Sequence, residues 1–204
     1  MYHTNNIKRA FIIISFWIAI FRIQAVQAME EPKTLTEIAE KQENSTGFYI
    51  SPQKLIYIGG NTTKNTVKKG QRIAHIKEHL TDNKNKKRHT YFNPGTAAHK
   101  DIIGFIDIIF EEFYNNNINL NSQNRSRNIL LGEINLHNKK YKVIDNYDGV
   151  QHTYDIISSD KQDPSYPIIG TLSGSKYNGG SLYGYRITTN REENNSEIQS
   201  FFPF

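Results

Sequence analysis

The chain has 204 residues, with 25 Lys and Arg against 20 Asp and Glu, a net charge of +5, a pI near 9.2 and no cysteine. Disulfide frameworks are excluded, so the fold must hold by packing alone, and the length suits one domain with a real core rather than two. The basic balance fits an anionic partner, nucleic acid or a membrane surface.

A basic start ending in Lys8-Arg9 precedes the apolar run from Ala10 to Phe21, and the small residues of Ala25-Val26-Gln27-Ala28 follow. This is the pattern of a secretory signal peptide over residues 1–28, with cleavage expected after Ala28. Arg22 interrupts the run and its length is short for a membrane span; an uncleaved anchor is the alternative. The mature chain is expected to be a secreted monomer with no stable membrane association.

Residues 29–69 read as a lead-in. Thr34-Leu35-Thr36-Glu37 has capping-box spacing and predicts a short helix through Lys41. Phe48-Tyr49-Ile50 and Leu55-Ile56-Tyr57-Ile58 predict short strands, and polar residues 61–70 predict a linker. From residue 70 to the end the pattern is one domain.

Three of the seven histidines fall between residues 75 and 89. Ile73, Ile76 and Leu80 have helical apolar spacing, which places Arg72, His75 and His79 at the edge of the buried stripe. His89 returns beyond the turn-like Asp82-Asn83-Lys84-Asn85 and the basic run Lys86-Lys87-Arg88. Such histidines are often structural, yet their company suits proton transfer beside a phosphate.

Asn93-Pro94-Gly95-Thr96 predicts a turn and cap, and the spacing of Ile102, Phe105, Ile106, Ile109 and Phe113 predicts a helix from Ala97 to Tyr114. Asp107, Glu111 and Glu112 are expected on its solvated side. After an Asn-rich loop at 115–128, strands are expected at 129–136, 141–144, 151–157, 168–172, 182–189 and 197–202, with turns at Asn138-Lys139 and Asp148-Gly149. The expectation is α+β, N-terminal helices packed on a mainly antiparallel sheet of four to five strands.

Arg72-Ile73 with His75 and His79, Lys87 two residues before His89, Phe92, the Ile169-Gly170 step, and Ser200, Phe202 and Pro203 on the last strand together resemble the C-terminal nuclease domains of bacterial polymorphic and contact-dependent-inhibition toxins. Among these the chain is most similar to the EndoU-like and barnase/RelE-like ribonucleases. The resemblance spans residue 70 to the end. It implies a metal-independent RNA-cleaving toxin with a cognate immunity protein in the producer; tRNA is among the RNAs to consider. Two features depart from the family: the domain follows almost directly on a signal peptide, and the 160–180 region is long.

The residues support that chemistry without the resemblance. RNA cleaves itself when its 2′-OH loses a proton, the leaving oxygen gains one and the phosphorane charge is met, which needs two groups titrating near neutrality and a cation but no cofactor. His75 or His79 with His89 are the expected base and acid, and Lys87 and Arg186 the expected cations. Arg72, Arg186 and Ser200 are expected substrate contacts, although Ser200 alternates with Ile198 and Phe202 and has a core reading too. Two other readings stay open. His75-Ile76-Lys77-Glu78-His79 is literally HxxEH, a zinc-hydrolase pattern, and an exported basic binding protein would need its histidines only for structure.

Overall fold

A computed structural model of the chain describes residues 33–58, 72–120, 128–160, 163–177, 179–192 and 195–204. The expected signal peptide, the 61–70 linker and residues 121–127 of the Asn-rich loop lie outside these residues. In chain order the elements are α1 (Leu35–Thr46), β1 (Phe48–Ile50), β2 (Ile56–Ile58) and α2 (Arg72–Lys77), which runs into a 3-10 turn (Glu78–Leu80). Then come β3 (His89–Phe92), α3 (Ala97–Lys100), α4 (Ile102–Asn115), β4 (Ile129–Leu136), β5 (Lys139–Tyr147) and β6 (Gln151–Ser158). The last are β7 (Gly170–Ser173), β8 (Ser181–Leu182), β9 (Tyr185–Glu192) and β10 (Asn195–Pro203).

The fold is α+β, and its main sheet is larger than four or five strands: seven in the order β1-β2-β10-β9-β6-β5-β4, with a second sheet β3-β7-β8. Residues 34–58 account for part of the difference. Ala39, Tyr49, Leu55 and Tyr57 are buried in the common core, and β2 meets β10 through a parallel pairing, Glu197 opposite Ile56. The remaining ladders of the main sheet are antiparallel.

The helix expected over Ala97–Tyr114 is two helices, broken at Asp101, whose extended backbone (φ −150°, ψ 90°) makes it the N-cap of α4. The same carboxylate caps α1 as well: it accepts from Gly104 N at 3.0 Å, Leu35 N at 2.9 Å, Thr36 N at 3.0 Å and Thr36 Oγ1 at 2.6 Å. Two sets of otherwise orphaned amides thus share one acceptor. Beyond the cap, Ile102, Ile103, Phe105, Ile106, Ile109, Phe110 and Phe113 are buried. Phe110 and Phe113 meet Tyr154 of β6 edge to face, at 6.4 and 5.8 Å. Truncating Phe113 to Ala would cost about 3–5 kcal/mol by loss of burial and an unfilled cavity. Asp107, expected on the solvated face, is buried instead: it accepts from the Ser51 hydroxyl and, at 3.3 Å, from Gln53 N.

Two local departures change which side chains face where. The β4–β5 turn is His137-Asn138, both with positive φ (51° and 61°), one residue earlier than Asn138-Lys139; paired positive φ values define the turn whose twist suits a two-residue hairpin. In β10, Ile198 pairs with Thr189 but Ser200 pairs with Thr188, so Gln199 is an extra, bulged residue. The bulge shifts the alternation. Ile198, Phe201 and Pro203 are buried, while Ser200 and Phe202 share the opposite face with Thr188 and Arg186. The expectation that Ile198, Ser200 and Phe202 share one face therefore fails.

Candidate active site at the histidine cluster

Helix α2 is anchored by Ile73 and Ile76, both fully buried, and Glu43 of α1 accepts from Ile73 N at 3.3 Å. Tightening into a 3-10 turn at Glu78 moves His79 off the regular helical position one turn from His75. The two rings nevertheless meet edge to face at 6.3 Å. His79 stacks on His89 at 5.3 Å with 11° between planes, and its ring lies 5.2 Å from Phe202 of β10. Tyr91 extends the stack beyond His89 at 6.4 Å.

Backbone carbonyls set the tautomers. Nδ1 of His79 lies 2.6 Å from Thr90 O, and Nε2 of His89 lies 2.8 Å from Thr81 O. A carbonyl only accepts, so those nitrogens carry the protons, leaving Nε2 of His79 and Nδ1 of His89 as the basic atoms. Burial holds the His79 pKa down at about 4, helped by His89, His75 and Lys86 and opposed by the Thr90 hydrogen bond. His75 is also lowered, chiefly by desolvation, with Arg72 and Lys86 adding and Glu78 opposing. Glu78 is lowered in turn by its hydrogen bond from Lys86, at 2.7 Å. Of the three rings, His75 is the exposed one, His79 is half-buried, and His89 is 3 % exposed.

The basic loop beside the cluster is held to the segment after β7. Ser175 N donates to Lys86 O at 2.9 Å and Lys176 N to Lys87 O at 3.4 Å. Ser173 Oγ donates to Asp82 at 2.5 Å, and Arg88 lies over the Tyr177 ring at 6.0 Å. Gly174 permits this contact: its φ is +116°, and a Cβ there would fall 2.7 Å from Lys86 O and 2.9 Å from Lys87 O. Lys84, Lys87, Arg88 and Lys176 are all exposed on these loops.

Arg72, His75, His79 and His89 are thus brought together, with Lys87 on the adjoining loop. Arg72 itself belongs to the framework. Its Nη1 donates to Gln199 O at 3.0 Å, fixing the bulge, while its buried Nε has no partner. It also stands near Glu43, whose carboxyl is raised by burial and pulled back by Ile73, Arg72 and their amides. Arg186 is not among the histidines. It grips Asp155 through Nε at 2.5 Å and Nη2 at 2.7 Å and lies over the Phe204 ring at 3.7 Å. Ser200 is half-buried on the same face, opposite Thr188.

Sequence reasoning missed a further histidine away from the cluster, His152, whose Nδ1 lies 2.8 Å from Asp145 Oδ2. Both are buried, with Tyr147 stacked on the imidazole at 4.3 Å. Alternation along β5 and β6 puts them on the inner face, but a pairing diagonal between strands leaves no sequence motif.

The HxxEH stretch does not assemble a zinc site of the expected kind. Glu78 is engaged by Lys86 at 2.7 Å. Among the described residues no group of three or more His, Cys, Asp or Glu is placed to hold a metal ion. No described helix is long and apolar enough to cross a membrane. No protein-family model, curated protein or solved structure matches the chain.

Proposed function

We propose that the protein cleaves RNA by transphosphorylation, with His79 and His75 as the proton-transfer pair. The observation that carries the reading is the placement of two solvent-reaching imidazoles, one with its tautomer fixed by Thr90 O, beside the exposed cations of the 84–88 loop. His79 Nε2 is the general base for the 2′-OH; its lowered pKa weakens it as a base but keeps it unprotonated through neutral pH. His75, exposed and next to Glu78 at 3.9 Å, protonates the leaving 5′-oxygen when it carries a proton; its lowered pKa keeps that fraction small at neutral pH, and acidification raises it. Lys87 meets charge on the phosphorane. His89, enclosed and stacked under His79, orients that ring as a positioning residue. Phe202 offers an apolar face at the edge of the site.

With the signal-like N-terminus, this activity fits an exported bacterial toxin whose producer keeps an immunity protein. The decisive experiment is incubation of the purified protein with RNA in excess EDTA. Cleavage giving 2′,3′-cyclic phosphate ends supports the scheme; 5′-phosphate ends, or activity lost to chelation and restored by Zn²⁺, overturn it. A non-enzymatic basic binding protein is the second reading. It is favoured by the enclosure of His89 and is selected if the protein binds RNA but cuts none.

A further inference from the structure

The outer face of β10 leads from the histidine cluster to a cleft. Phe202 touches His79 at 5.2 Å. Phe204 lies two residues further on the same face, a step of about 7 Å along an extended chain. Arg186 ties the two together: it is opposite Phe202 in the ladder, and its guanidinium lies 3.7 Å from the Phe204 ring centroid. Phe204 is fixed against Gly184 by reciprocal backbone hydrogen bonds of 2.7 and 2.8 Å. That approach needs glycine, since a Cβ at Gly184 would lie 2.8 Å from Ile156 O and 3.2 Å from Phe204 O.

Beyond Phe204 opens a cleft of ≈ 650 Å³, floored by Ile157 and Leu182, walled by Tyr183 and Phe204, and edged by Asp160 and Asp163. Tyr183 and Phe204 remain 43 % and 39 % exposed, so their rings present open faces to an occupant. The volume is within the range of small-molecule sites, with a mostly apolar lining and a few polar groups to set orientation.

We infer that this cleft receives a purine base of single-stranded RNA, further along the strand from the linkage held at the histidines; the inference rests on the RNA reading proposed above. Stacking on aromatic rings binds any base and favours the larger ring system. Asp163 at the rim is already held by Ser165 N and, at 3.3 Å, by Lys139 Nζ, so the preference for a purine rests on the aromatic walls. The cleft lies beyond both the 5.2 Å contact of His79 with Phe202 and the about 7 Å step from Phe202 to Phe204, a path longer than one extended nucleotide unit, so the base that stacks there belongs to a nucleotide beyond the immediate neighbour of the linkage at His75 and His79.

The test uses the full chain and 2′-O-methyl oligonucleotides, which lack the attacking hydroxyl and so report binding alone, with cleavage of ordinary RNA measured in parallel. Oligopurine should bind more tightly than oligopyrimidine. Tyr183→Ala should weaken oligopurine binding about tenfold or more and erase the preference, while Tyr183→Phe retains it. Cleavage that ignores the identity of the flanking bases, with Tyr183→Ala changing neither binding nor cleavage, would overturn the cleft assignment and leave the nuclease reading standing. No binding or cleavage of any RNA would overturn both. Binding of a neutral oligosaccharide that Tyr183→Ala abolishes, with RNA unaffected, would reassign the cleft to sugars.

Discussion

Acidification from pH 7 to pH 5 should cost the fold about 2 kcal/mol through His79 alone. The ring titrates near 6.5 in an open chain and at about 4 in the fold, with burial as the main cause. Between those values the unfolded chain binds a proton that the folded chain refuses. The stabilisation is therefore complete above about 6.5 and is lost as pH falls toward about 4, where the loss reaches roughly 3 kcal/mol. Glu43 and Asp107 act in the opposite sense: burial raises both carboxyls, so they favour the fold at low pH. The measurement must isolate His79 from them. His79→Asn keeps a donor near Thr90 O and removes the titration, so urea unfolding of both proteins at pH 7 and pH 5 gives the histidine's share by difference. Wild type should lose about 2 kcal/mol more than the variant over that interval. Parallel losses in the two proteins would refute the burial argument, and with it the claim that His79 stays neutral in the site.

The same shift places the acidic limb of the kcat/KM profile for RNA cleavage near pH 4; a limb at the ordinary histidine value would remove His79 as the base. His75→Ala and His79→Ala should each lower cleavage about 10²-fold or more, whereas Glu78→Gln should leave it within a few-fold, and the reverse pattern would favour the HxxEH scheme. Gly174→Ala should destabilise the protein by about 1–3 kcal/mol in thermal or urea unfolding, because the left-handed backbone and the Lys86 carbonyl both resist a Cβ; an unchanged midpoint would show that the 82–88 loop is not held there. Arg186→Met should cost about 3 kcal/mol by leaving Asp155 without its cation, and no change in stability would indicate that Asn146 suffices as its partner.

Much of the framework was legible because it rests on local rules. The apolar period of α4, the alternation of the strands and the turn residues at Asp148-Gly149 are repeating or short-range signals, and most elements fall close to where they predict; the strand expected at 182–189 is instead split between the two sheets as β8 and β9, and β3 was not expected. Non-local geometry was not legible. The bulge at Gln199 depends on Arg72, far away in sequence, and it turned Phe202 from an expected core residue into a wall of the site. Charge alone suggested that Arg186 would face phosphate, but a carboxylate across the strand claims it. The tautomers of His79 and His89 are set by main-chain oxygens, which carry no residue-type signal. Grouping of the three histidines was visible as proximity in sequence; their division into exposed, half-buried and enclosed rings required the packing.

Asp101 has a practical consequence for anyone dissecting this protein. A boundary at residue 70, suggested by the histidine stretch, would keep every imidazole of the cluster yet strip the α4 cap of its partners at Leu35 and Thr36 and remove Glu43 from the start of α2. The fragment would also lose β1 and β2 from the sheet. Inactivity in such a fragment would report misfolding rather than missing chemistry, so deletion mapping should start upstream of Thr34.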